Sequence, residues 1–225
     1  MYTDGHGAFR QKEVEMVEKK GKTALICGEN TEVCREAEAC LKEMGWLVWR
    51  LGYGEVQAAE NLFRKEDGLD LLVFGDDEGI FSRTGTIYEN QERPAVLQAY
   101  EQHVNGPLKA LRLLKPLLDQ GGDRRICYIT TRDSSNNMCF DHERYGEHMV
   151  RAARNMQARI QMNSLGPEGY TFRVFCYDGS WKMKGTGHQA VLYFLQDRSR
   201  DEFCPAHEDE RRLVMRDEGR REIPW

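Results

Sequence analysis

The stretch from Lys22 to Arg50 constrains this chain more than any other. Thr23-Ala24-Leu25-Ile26-Cys27 is a short, mostly apolar run that ends at Gly28, the pattern of a strand buried on both faces. Glu29-Asn30-Thr31 is a polar turn in which Asn30 or Thr31 can cap a helix. From Glu32 to Met44 the apolar residues Val33, Ala37, Cys40, Leu41 and Met44 recur at helical spacing, and Gly45 stops that helix. Trp46-Leu47-Val48-Trp49 is a second apolar run. Strand, turn, helix and strand in so short a span form a βαβ unit with a right-handed crossover.

The rest of the chain repeats that alternation. Leu51-Gly52-Tyr53-Gly54 turns the chain, and the spacing of Val56, Ala59, Leu62 and Phe63 predicts a helix over Glu55–Glu66. Leu69–Phe74 reads as a third buried strand, with the acidic loop Gly75-Asp76-Asp77-Glu78-Gly79 at its C-terminal end. Pro94–Leu118 is helical in pattern, with Leu108, Leu111, Leu114, Leu117 and Leu118 on one face and a kink at Gly106-Pro107. Arg125–Thr131 and Tyr170–Tyr177 read as further strands, and Glu143–Asn163 and Gln189–Leu195 as helices. Val150, Ala153, Met156 and Ile160 form the apolar stripe of the longer helix. Leu213-Val214-Met215 is a candidate last strand. Strands and helices alternating in this way predict an α/β fold, a single doubly wound and mainly parallel sheet between two helical layers. The expected organisation is an N-terminal extension over 1–21, with a short surface helix or disordered arm, followed by one domain over 22–225.

The totals exclude several function classes. Charged residues make up 31% of the chain, but the formal net charge is only −5 and the signs are interleaved, so neither nucleic acid nor an anionic membrane is an expected partner. No apolar run approaches the roughly 20 residues needed to span a bilayer. The N-terminus lacks a basic-then-apolar leader pattern, so a cytoplasmic location is expected. Seven cysteines without a Cys-x-x-Cys pair fit reduced, mostly buried thiols. Cys204 and His207 could supply two metal ligands, but no second pair stands at a zinc-like spacing, and no metal is expected. Neither a Gly-x-Ser-x-Gly elbow nor a P-loop occurs.

In their order, several segments resemble the short-chain dehydrogenase/reductase family from about Lys22 to the C-terminus. Gly21-Lys22-Thr23-Ala24-Leu25-Ile26-Cys27-Gly28 is similar to the family's first strand, which leads into Thr-Gly-x-x-x-Gly-x-Gly. Leu69–Val73 resembles the strand before Asn-Asn-Ala-Gly. Asn105-Gly106-Pro107-Leu108 resembles the helix carrying the structural asparagine, and Ile126–Thr131 the strand that delivers the catalytic serine. Tyr145 stands where Tyr-x-x-x-Lys would start. Tyr177-Asp178-Gly179 is similar to the Pro-Gly turn, and Ile223-Pro224-Trp225 to the tail of some members. The resemblance implies Tyr145, Thr131 and Asn105 as the catalytic set, with Ser134 an alternative hydroxyl. It implies Gly28, Arg50 and Gly75 as positions facing NAD(P), with Arg50 placed to mimic an arginine that selects a 2′-phosphate.

The departures from that pattern fall on chemistry. Glu32 and Cys34 stand on the second and third glycines of the phosphate turn, where the family's backbone approaches a diphosphate at a helix N-terminus. Two like charges about 4 Å apart at an effective dielectric near 20 repel by about 4 kcal/mol. The interval before Leu69 holds one helix where the family fits helix, strand and helix, so one strand–helix unit is expected to be missing. Phe74-Gly75-Asp76-Asp77 replaces Asn-Asn-Ala-Gly, putting carboxylates capable of acid–base or metal work beside the cleft. Met149 replaces the lysine that would lower the tyrosine pKa and hold the cofactor ribose, and His148 lies about 100° round the helix from it. The expectation is a non-catalytic protein on this fold, acting as a binding or scaffold subunit without a cofactor. It would pair with its own copy or an intact relative through helices at about 95–118 and 143–163. The alternative is an NAD(P)-dependent oxidoreductase with a rebuilt site.

Overall fold

The computed structural model describes residues 21–57, 68–75, 86, 88, 93–179, 185–196 and 212–225. The helix expected over 55–66 falls outside them beyond Val56 and Gln57, as do the Asp76-Asp77 loop, the 1–20 segment, Cys204 and His207. Strand β1 (Thr23–Cys27), helix α1 (Glu32–Glu43) and strand β2 (Leu47–Leu51) form the βαβ unit. Between the two candidate caps the structure selects Thr31, whose hydroxyl accepts the Cys34 N–H at 3.2 Å. The Asn30 carboxamide instead accepts from the Arg35 and Arg50 guanidiniums.

Strand β3 (Leu71–Phe74) follows, then helix α2 (Arg93–Tyr100), a π-turn over Glu101–Asn105 and helix α3 (Gly106–Gln120). The interruption expected at Gly106-Pro107 is therefore a widened turn just ahead of it. Pro107 sits in the first turn of α3, where its missing N–H costs nothing. Strand β4 (Arg125–Thr131), helix α4 (Tyr145–Leu165), strand β5 (Thr171–Tyr177) and helix α5 (Thr186–Phe194) continue the alternation. The last expected strand is β6 (Met215–Arg216), and an additional short β7 (Glu222–Ile223) pairs antiparallel with it.

The seven strands form one sheet in the order β2-β1-β3-β4-β5-β6-β7, parallel except for the last pair. A doubly wound dinucleotide-binding sheet has the order 3-2-1-4-5-6. Removing its outermost strand and renumbering gives 2-1-3-4-5, the order of the first five strands here, with β6 and β7 added beyond β5. Alternate residues of the central strands enter opposite layers. Leu25, Leu72, Phe74, Ile126 and Phe172 pack with Leu111, Leu114 and Leu118 of α3 and Ala158 of α4. Ile26, Val73, Ile129 and Phe175 pack with Val33, Ala37 and Leu41 of α1 and Val191 and Phe194 of α5. Arg173 is fully buried within β5. Its guanidinium donates to the carbonyls of Tyr193, Phe194 and Gln196, where the negative end of the α5 dipole favours a cation.

The stripe assigned to α4 needs correction. Val150 is buried, but Met156 and Ile160 are about 60% exposed. The core side of α4 is instead Ala158, Met162 and Leu165 together with the polar residues Glu147, Arg151, Arg154, Asn155 and Gln161. The apolar spacing identified the helix but not its inward face, because that face carries charges paired across the structure. No described helix is long and apolar enough to cross a membrane.

Helices α1 and α5 meet at Gly187. A Cβ there would lie 2.3 Å from the Val33 carbonyl oxygen and 2.6 Å from the Ala37 nitrogen. Backbone atoms cannot yield as a flexible side chain would, so Gly187→Ala should lower stability by about 1–3 kcal/mol in a denaturant melt. An unchanged midpoint would show that the helices are not locked together here.

Candidate functional site

Parallel strands deliver their C-terminal ends to one edge of the sheet, and the order reverses between β1 and β3, the position where ligands bind in open α/β sheets. Gly28 follows β1, Gly75 follows β3, and Thr131 ends β4. A cavity of 490 Å³ opens at the ends of β1 and β2, lined by Gly28–Asn30, Arg50–Glu55, Gln102 and His103. Gly28 and Arg50 thus share one cavity, while Gly75, Thr131, Tyr145 and Asn105 are not among its lining residues.

Arg50 is already engaged. Its guanidinium donates to the Asn30 carboxamide and lies 3.4 Å from Glu38, which also pairs with Lys42 at 2.7 Å. Glu32 is exposed in the first turn of α1, and Cys34 is fully buried below it. A Cβ at position 75 would fall 2.4 Å from the Cys34 sulfur. Gly75 is therefore a glycine because Cys34 packs on it, while its N–H donates to the Cys27 carbonyl at 2.8 Å. The turn that carries glycines in the family is thus closed by Cys34 on one side and bears a carboxylate on the other. Burial pushes the Cys27 thiol far above its ordinary value, which makes it inert.

The end of β4 is occupied by a chain of charges running along the first turns of α4. Asp141 accepts from the Arg144 guanidinium at 2.5 Å, and Arg144 reaches Glu147 at 3.5 Å. Glu147 pairs with Arg151 at 3.0 Å, and Arg151 in turn donates to the Thr131 hydroxyl. Glu147 and Arg151 are 6% and 7% exposed, so the pair is largely withdrawn from water. One turn on, Arg154 donates to the Gly75 carbonyl at 2.5 Å and stacks over Tyr128, 5.6 Å from its ring centroid. Both arginines come from the helix that would carry Tyr-x-x-x-Lys, and both point at strand ends.

The three residues assigned to a catalytic set are not joined by hydrogen bonds. Tyr145 is 42% exposed and makes no side-chain hydrogen bond among the described residues. Met149 is also exposed. Asn105 donates to Glu101 at 2.5 Å, beside the Glu101–Lys109 ion pair. Of the two hydroxyl candidates, Thr131 is held by Arg151, and Ser134 donates to the Thr131 carbonyl while accepting from Asn155 at 2.9 Å. His148 turns to Asp141, 3.2 Å away. Arg151 and Arg154 escaped the motif reading because they match no family position; their signal was two arginines at helical spacing on the buried side of the catalytic helix. No group of three or more potential metal ligands occurs among the described residues.

No family model matches the chain. A stretch of 65 residues, 29% of the chain, is 37% identical to the C-signal protein of Myxococcus xanthus and spans only 39% of that protein. Solved structures align more widely. The carbonyl reductase Sniffer of D. melanogaster matches over 91% of this chain and 100% of its own, with a TM-score of 0.66 at 13% identity. A protein assigned to the short-chain dehydrogenases/reductases from Burkholderia multivorans, solved with NADP bound, gives the same coverage, with a TM-score of 0.66 at 13% identity. A carbonyl reductase from Pseudomonas aeruginosa PAO1 gives a TM-score of 0.65 at 12% identity over the same 91%.

Two outcomes follow from the charge chain. Arg151→Met leaves the buried Glu147 carboxylate with only the half-exposed Arg144, 3.5 Å away, and should cost about 2–4 kcal/mol, whereas the double change Glu147→Gln/Arg151→Met should recover much of that loss. Equal losses in the two proteins would mean the pair is not coupled. Burial alone would raise the Asp141 carboxyl, but the Glu143 N–H and the Arg144 and His148 side chains outweigh it and hold it well below the usual carboxylate range. A depressed folded value contributes stability that is present above about pH 4 and lost as pH falls further. Acid titration of the melting temperature should therefore show a steeper drop below that point than in Asp141→Asn. At the level the comparisons reach, the chain has the fold of the short-chain dehydrogenases/reductases.

Proposed function

We propose that this chain is a non-catalytic protein on the short-chain dehydrogenase/reductase fold, a binding or scaffold subunit that uses no dinucleotide. The observation that carries this reading is the Glu147–Arg151–Thr131 chain. The hydroxyl at the serine position is spent on a buried guanidinium, and Tyr145 stands exposed with Met149 at the lysine position. In the family a lysine four residues on works with the tyrosine; here that position is the exposed Met149. Glu32 and the Cys34–Gly75 contact likewise do not fit a diphosphate at the turn after β1.

The surface through which such a subunit would act is on α2 and α4. Leu97 and Tyr100 of α2 and Met149, Met156 and Ile160 of α4 are all exposed, and the two helices pack side by side. Large apolar side chains gathered on adjacent helices suit a contact with a second copy or with an intact relative.

A second reading, an NAD(P)-dependent oxidoreductase with a rebuilt site, is favoured by the 490 Å³ cavity with Arg50 in its wall. Calorimetric titration with NADH and NADPH into the millimolar range, with thermal shift alongside, separates the two. The expected result is no heat and no shift. Binding at tens of micromolar or tighter would overturn the non-catalytic reading and would assign the cavity to the adenosine end of a cofactor.

A further inference from the structure

A second cavity, of 430 Å³, lies between α4 and the C-terminal segment, and it shares no lining residue with the first. Its volume falls within the range of small-molecule sites. The C-terminal segment is held in place to form one wall: Ser135 donates to the Pro224 carbonyl, and the Asn137 amide donates to the Trp225 carbonyl oxygen at 2.5 Å. Trp225, Leu213 and Met156 supply apolar surface, and the buried pair Ser134 and Asn155 supplies polar surface.

Two arginines also line this cavity, and their charges are in different states. Arg212 is bound by both oxygens of Glu222, at 2.8 and 3.4 Å. Arg159 donates only to the Arg212 carbonyl, and no carboxylate among the described residues pairs with it. Among the described residues the cavity therefore holds one guanidinium without a carboxylate partner, beside an aromatic ring, a leucine and a methionine. A planar guanidinium binds a carboxylate through two parallel hydrogen bonds, and a methionine adapts to apolar bodies of varied shape.

We propose that this cavity binds a small amphipathic monocarboxylate, its carboxylate on Arg159 and its apolar body against Met156, Leu213 and Trp225. A dianion would lack a second free cation, and a neutral ligand would leave Arg159 unpaired. The site does not depend on whether the chain binds a dinucleotide. It shares Met156 with the exposed apolar face of α4 but is otherwise turned away from that face. At about 100° per residue, Ala152, Asn155 and Arg159 point roughly 100° away from Met149, Ala153 and Ile160, with Met156 between the two sets.

The test is calorimetric titration of the full chain with sodium octanoate, and with octan-1-ol and octyltrimethylammonium as neutral and cationic counterparts. Octanoate should bind one site at least about tenfold more tightly than the alcohol, as a charge-assisted pair requires, and the cation should not bind. Arg159 is exposed, so Arg159→Gln should keep its melting temperature while losing the preference for the carboxylate, and Arg159→Lys, which keeps the charge but not the paired hydrogen bonds, should retain only part of it. Met156→Glu, which places a carboxylate in the wall, should abolish octanoate binding. No binding, equal affinity for octanoate and octanol, or unchanged octanoate affinity in Arg159→Gln would each overturn the assignment.

Discussion

Everything in this molecule depends on β1, β3, β4 and β5 being buried on both faces. Their side chains alternate between two layers, so neither layer can be left open: α3 and α4 cover one, and α1 and α5 the other. Parallel neighbours require crossovers, and right-handed crossovers on both sides of β1 place the reversal of strand order at the ends of β1 and β3. The cleft is a consequence of that burial. A chain can keep it for reasons of packing alone, long after any chemistry there has gone.

The polar groups at that edge are largely tied into the protein itself. In a catalytic site on this fold, polar groups at the strand ends stay available to substrate and cofactor. Here they are consumed internally. Thr131 is taken by Arg151, the Gly75 carbonyl by Arg154, and the space beside Gly75 by the Cys34 sulfur. Buried guanidiniums are expensive unless fully paired. Arg151 is paired with Glu147, and Arg154 donates to a backbone carbonyl and lies over the Tyr128 ring. Through Arg151 and Arg154, α4 ties the ends of β3 and β4 together.

The strand and helix pattern was legible because burial on two faces demands long apolar runs, and helices against them demand apolar residues at every third or fourth place. TALIC, LLVF and the Leu face of 108–118 could hardly be read otherwise. The loss of one strand–helix unit was also legible, from the short interval before Leu69. The site was legible only as absence: the glycines and the lysine are replaced in the sequence itself, but what fills their places is not written there. The inward side of α4 was misplaced because Arg151, Arg154 and Asn155 look solvent-facing by composition, and Met156 and Ile160 look buried.

The sequence by itself determined the doubly wound architecture, the ends of β1 and β4, the Gly45 end of the first helix and the departures at the family's glycine and lysine positions, all of them local patterns of residue type and spacing. Tertiary structure alone decided that Arg151 reaches Thr131, that Cys34 closes on Gly75, and that α4 and the C-terminal segment enclose a cavity lined by Arg159. These contacts join residues distant in sequence, and which face of a helix is buried depends on what the rest of the chain packs against it.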